Sequence, residues 1–125
     1  HLGRHLDIPI IQATADNFGE SLQGDTFDVV ASFWMTEYLT PREVQAFIAQ
    51  ALCCLRTSGI FITTFVANQQ WGKFYQTGSW LRGIKKFTYG KQDIDNFFPN
   101  MPIKVIHLPG LWGGLLGYLV SLQSF

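Results

Sequence analysis

Apolar and polar residues alternate along this chain with periods that change from segment to segment, and each period predicts an element. Residues 8–14, IPIIQAT, are a short apolar run with paired isoleucines, which predicts a strand covered on both faces. After the polar loop ADNFGESLQGDT, residues 27–34, FDVVASFW, repeat the pattern: an aspartate at the entry, a β-branched middle and an aromatic exit. Thr40, Pro41 and Glu43 then form a helix start, with a cap, a proline at the first helical position and a capping-box acid. Val44, Phe47, Ile48, Ala51, Leu52 and Leu55 follow at helical spacing, and RTSG closes the run with Gly59 as the left-handed residue. IFITTFV, residues 60–66, is a third buried strand. Strand, loop, strand, helix, strand points to parallel pairing through a crossover, and so to an α/β sheet.

Residues 67–92 lose this rhythm. Glycines alternate there with Trp71, Phe74, Tyr75, Trp80, Phe87 and Tyr89, which predicts a long, partly structured insertion. A short helix starts near Asp93, Pro99 and Pro102 break it, and IKVIHL begins a strand. GYLVSLQSF alternates and returns antiparallel to that strand. The apolar stretch 105–120 is interrupted by His107, Pro109 and glycines, so it reads as strand, connection and strand, with His107 a core residue; it is too short for the roughly 20 residues of a membrane helix.

Composition narrows the class without naming a chemistry. In 125 residues, 47% apolar and 15% aromatic content is enough for one packed domain. Nine basic residues balance nine acidic ones, so no overall field draws the chain to nucleic acid or an anionic membrane. The basic residues Lys73, Arg82, Lys85, Lys86 and Lys91 nevertheless share a window free of acids. Cys53 and Cys54 are adjacent in the helix, where they serve packing and not a disulfide or a metal site, and this favours a cytoplasmic setting. The first residue is His, and nothing there resembles a signal peptide, which leads us to expect a start inside a longer protein.

The run ATADNF, then FDVVASFWMTEYL, the capped helix ending CLRTSG, IFITTF, PIKVIHL and GYLVSLQSF occur in an order that resembles a class I S-adenosylmethionine-dependent methyltransferase from its third strand onward, nearest the small-molecule branch. The resemblance implies a Rossmann-like α/β sheet of order 3-2-1-4-5-7-6 with strand 7 antiparallel. Residues 1–125 would supply strands 3 to 7 as a partial methyltransferase domain, strands 1 and 2 being absent, with residues 67–92 as a substrate-recognition insertion. It implies S-adenosylmethionine as cofactor, no metal, a small-molecule methyl acceptor, and a missing N-terminal half from the same or another chain.

By resemblance, Asp16 accepts a hydrogen bond from the adenine amine, the backbone N–H of Asn17 meets a ring nitrogen, Phe18 packs on the ring face, and Ala15 belongs to the same cofactor-binding run. Ser32, Phe33 and Trp34 line the methionine end, although Phe33 and Trp34 are bulkier than the small or amide residues of many relatives. Glu37 and Tyr38 face substrate as candidate catalytic groups. Without the resemblance, Asp16 is a loop or cap residue, Phe33 and Trp34 are core, and Glu37 and Tyr38 belong to the surface.

The glycine-rich turn after the first strand and the acid after the second are not in this sequence, and the third strand is left without a neighbour. Two other functions therefore stay open: a binding or scaffolding domain that has lost the cofactor site, and a nucleic-acid-modifying or nucleic-acid-binding domain whose Lys85 and Lys86 meet phosphates.

Overall fold

Four strands make one sheet in the computed structural model, which describes residues 8–110 and 114–124. The helical turn α1 (Phe18–Ser21) precedes β1 (Phe27–Ser32), and a one-turn 3-10 helix (Thr36–Tyr38) leads to α2 (Pro41–Cys53). Next come β2 (Leu55–Val66), α3 (Gln70–Leu81), α4 (Lys91–Phe97), β3 (Lys104–Pro109) and β4 (Leu115–Gln123). The sheet order is β1-β2-β4-β3. β1 and β2 are parallel, and β4 runs antiparallel to both of its neighbours, β2 and β3.

The predicted helix forms as its signals require. Thr40 Oγ1 accepts from Glu43 N at 3.3 Å and Glu43 Oε1 accepts from Thr40 N at 3.0 Å, satisfying two N–H groups that have no intrahelical partner. Its apolar stripe buries Val44, Phe47, Ile48 and Ala51 against one face of the sheet. On that face Phe47 meets Phe61 at 5.8 Å between ring centroids, and Phe61 meets Phe98 at 6.2 Å. Phe65 stacks on Phe97 at 5.9 Å, so α2 and the α4 region share one aromatic core with β2. On the opposite face Val29, Ile60 and Ile106 are exposed.

The structure corrects several expectations. Residues 8–14 form no strand, and Ile10 is 79% exposed. A strand exists only where another backbone takes up its N–H and C=O groups, and β1 pairs with β2 alone, leaving the site of a second neighbour open among the described residues. The helix ends at Cys53, earlier than RTSG, because Phe27 N donates to Cys54 O at 2.8 Å and draws the chain into β2. Ser58, not Gly59, takes the left-handed conformation, with φ +65°. Gly59 is needed for a different reason: a Cβ there would lie 2.9 Å from Asp28 O in the bulge where β2 shifts register against β1.

Within 67–92 the predicted insertion contains a full helix, α3. His107 is exposed on β3, edge-on to Tyr118 at 5.4 Å, and is not a core residue. Cys54 is buried and Cys53 exposed. Residues 105–120 are two strands as expected, but their glycine-rich connection at 111–113 lies outside the described residues. No described helix is long and apolar enough to cross a membrane.

Candidate functional site

Ligands of parallel α/β sheets bind beyond the carboxyl ends of the strands, which here are Ser32 of β1 and Val66 of β2. At the end of β1 the chain turns sharply: Trp34 has φ +56°, a conformation that costs a side-chain-bearing residue about 1–3 kcal/mol. Two hydrogen bonds to one β2 residue hold it there. Trp34 N donates to Thr64 Oγ1 at 2.7 Å, and the buried Thr36 Oγ1 donates to Thr64 O at 2.7 Å. Ser32 Oγ meets Met35 Sδ at 3.8 Å, so its hydroxyl is turned along the chain.

The 3-10 turn that follows places Glu37 inside and Tyr38 outside. Glu37 is 3% exposed, and its backbone carbonyl accepts from Phe87 N at 2.7 Å. That bond fastens the segment after α3 beneath the turn. Tyr89 continues the fastening: its N donates to Val66 O at 2.9 Å and its hydroxyl to Leu39 O at 2.6 Å. Lys86, between these anchors, is 5% exposed. Its ammonium lies 4.4 Å from the Tyr38 ring centroid and 4.1 Å from that of Tyr75, and it donates to the Tyr75 hydroxyl.

A cavity of about 210 Å³ opens here, lined by Trp34, Glu37, Val66, Tyr75 and Leu116. Glu37 Oε1 is buried with no hydrogen-bond partner among the described residues. Burial pushes the Glu37 carboxyl above its usual pKa, and its backbone hydrogen bond and the Lys86 charge only partly oppose this. For Lys86, burial disfavours the charge, but the Tyr38 and Tyr75 hydroxyls outweigh it and hold the pKa above the ordinary lysine value. The site thus combines a carboxylate prone to hold a proton, a cation kept charged, and two aromatic walls.

The residues expected to hold the cofactor do not gather in one place. Trp34 and Glu37 share the cavity, with Tyr38 joined to it through Lys86. Phe33 and Trp34 are exposed, Trp34 by 44%, so neither belongs to the core. Asp16, Asn17 and Phe18 lie instead along α2. The Phe18 ring is 5.8 Å from Phe47, and the Gln50 side chain donates to Asp16 O while accepting from Gly19 N at 2.5 Å. The Asp16 carboxylate is exposed, and Ala15 is half-buried against the core.

Asn17 lines a separate hollow with Gln50, Cys53 and Cys54. Cys54 abuts the start of β1 at Phe27, whereas Trp34 lies past its end, so the two groups occupy opposite ends of the parallel pair.

Sequence reasoning missed Thr64, Tyr75 and the role of Lys86. No local pattern marks them, because their partners come from other elements. The nucleic-acid alternative needs Lys86 to meet phosphates, and its burial opposes this.

No family model matches the chain, and no curated protein matches it in sequence. Solved structures do match it in shape. Magnesium protoporphyrin IX methyltransferase from Synechocystis PCC 6803, with bound SAH, is 11% identical with a TM-score of 0.66, over 92% of this chain and 50% of that one. A SAM-dependent methyltransferase from Methanosarcina mazei is 12% identical with a TM-score of 0.60, over 90% and 65%. An O-methyltransferase family protein from Burkholderia thailandensis is 11% identical with a TM-score of 0.70, over 98% and 38%. The fold is similar to the Rossmann-like fold of these methyltransferases. This chain spans between about two fifths and two thirds of the length of these methyltransferase structures.

Proposed function

We propose that this chain is the later part of a class I S-adenosylmethionine-dependent methyltransferase domain, passing a methyl group to a small-molecule acceptor at the carboxyl ends of β1 and β2. The observation that carries this reading is the cavity beside Trp34 and Glu37, at the end of the parallel pair where such sheets bind ligands. In the family's numbering β1-β2-β4-β3 corresponds to strands 4-5-7-6, and the open edge of β1 is where strand 1 would pair.

The residues fit one end of the cofactor. At about 210 Å³ the cavity is below the roughly 300–1,000 Å³ of ordinary ligand pockets, and the adenine partners Asp16 to Phe18 stand apart from it. A strand added along β1, from the same or another chain, gives residues 8–14 the neighbour they lack and brings the Asp16 stretch to the carboxyl end. When bound, the cofactor supplies an electrophilic methyl on a sulfonium. The protein's part is to align the acceptor at Glu37 and Tyr38 and exclude water.

The test is a titration of the 125-residue chain with S-adenosylhomocysteine, followed by amide NMR shifts. We expect shifts confined to residues 32–38, with a Kd of about 1 mM because half the pocket is missing. No shift in that stretch overturns the cofactor reading and favours a binding domain that keeps the fold alone. Low-micromolar affinity overturns the claim that the chain needs a further strand.

A further inference from the structure

We propose that the outward face of α3, with the turn after it, docks on a lipid bilayer whose surface carries anionic headgroups. A helix at the surface of a domain ordinarily turns its large apolar side chains inward and its polar ones to water. α3 is inverted. Residues seven apart share a helix face, and the inward pair is Gly72 and Ser79, both buried, where a Cβ on Gly72 would run into Ala67 O. The outward pairs are Phe74 with Leu81 and Lys73 with Trp80; Phe74 is 77%, Leu81 85% and Trp80 61% exposed.

The end of the helix enlarges this patch. Gly83 takes the left-handed conformation, with φ +77°, while Gly83 N donates to Trp80 O and Ile84 N to Ser79 O, both at 2.9 Å. That turn brings the exposed Ile84 back beside Trp80, and the two line a shallow hollow with Lys85. Large apolar side chains gathered in water on one held surface mark a place of contact.

Charge identifies the occupant. Lys73, Arg82 and Lys85 are exposed around these residues and form no ion pair among the described residues. No Asp or Glu occurs between Glu43 and Asp93, so nothing in this stretch cancels them, although the chain as a whole is neutral. Trp80, Phe74 and Leu81 fit the boundary of the acyl chains, and the cations on their flexible stems reach back to anionic headgroups. With twelve residues, α3 lies on the bilayer and does not cross it. A second copy fits less well, because a two-fold contact through this face would set like charges against each other. Nor does a strand added beside β1 cover it: α3 packs on β4, which β2 separates from that edge.

The test is co-sedimentation of the 125-residue chain with vesicles, without cofactor, so its result is independent of the methyltransferase reading. Vesicles of phosphatidylcholine with about 30% phosphatidylserine are compared with phosphatidylcholine alone. The anionic vesicles are expected to bind about tenfold or more tightly, since each cation near such a surface contributes about fivefold. Equal binding, or none, overturns the proposal. Arg82→Gln with Lys85→Gln is expected to weaken binding to the anionic vesicles about tenfold or more. Phe74→Ser with Leu81→Ser is expected to abolish it, with circular dichroism confirming the fold. Undiminished binding by either folded pair overturns the assignment. Should a pair not fold, quenching of tryptophan fluorescence by brominated lipid is expected to fall in Trp80→Phe, and unchanged quenching overturns it. Sedimentation velocity supplies the rival outcome: a dimer that Phe74→Ser with Leu81→Ser dissociates, in a chain that binds no vesicles, assigns this face to a second copy and overturns the proposal.

Discussion

The stretches 15–18 and 32–38 were expected to frame one pocket, and the structure treats them differently. Residues 32–38 follow a strand that is paired in register, Ser32 to Thr63, and two hydrogen bonds to Thr64 fix the turn after it. Residues 15–18 follow a segment with no strand partner, and they settle on the α2 surface through Phe18 and Gln50. A functional side chain is therefore placed by its strand's neighbours as much as by its own sequence. Motif residues on an unpaired strand take the nearest apolar surface instead.

The largest test of this contrast is a pair of truncations. Phe61 is buried on β2 and joins Phe47 to Phe98, so Phe61→Ala is expected to cost about 3–5 kcal/mol in urea unfolding. Phe18 touches the same Phe47 ring from outside and is only half-buried, so Phe18→Ala is expected to cost about 1 kcal/mol. Comparable losses would mean that the 15–18 stretch is as firmly built into the core as β2, and the contrast would fail.

What was legible in the sequence divides along the same line. Thr40, Pro41, Glu43 and the Val44-to-Ala51 stripe act within one helix, and local spacing was enough to predict them. The strands expected at 60–66 and 117–125 carry their pattern within a few residues, and they appear as β2, which already starts at Leu55, and β4, Leu115–Gln123. The Glu37 environment was not legible, because Lys86 comes to it from beyond α3 and Tyr75 from within α3, both distant in sequence. The strand at 8–14 was misread for the opposite reason: its local pattern is that of a strand, but pairing is not a local property.

A smaller effect sharpens the description of the 32–38 end. The folded chain raises the Glu37 pKa above its ordinary 4.5 by burial, so it holds this proton to higher pH than the unfolded chain does. The stability linked to this group is fully present below about pH 4.5 and is lost as pH rises through the folded pKa. Glu37→Gln carries no charge at any pH and escapes that loss. It is expected to be more stable than wild type at pH 8, with the difference shrinking toward zero near pH 4. The measurement is urea unfolding of both chains across that range. A difference that stays constant with pH would show that Glu37 is not held in the buried state described.

The smallest effect is expected at Asp16. Its backbone carbonyl accepts from Gln50, but its carboxylate is exposed and is in no ion pair among the described residues. Asp16→Ala leaves the backbone contact in place, so unfolding free energy should change by less than about 0.5 kcal/mol. Gln50→Ala, which removes the bonds to both Asp16 O and Gly19 N, is expected to cost about 1 kcal/mol and serves as the internal standard. If Asp16→Ala costs as much as Gln50→Ala, the carboxylate has a structural role on α2. If it costs nothing, the side chain is free for a ligand once a strand beside β1 carries its segment to the other end of the sheet.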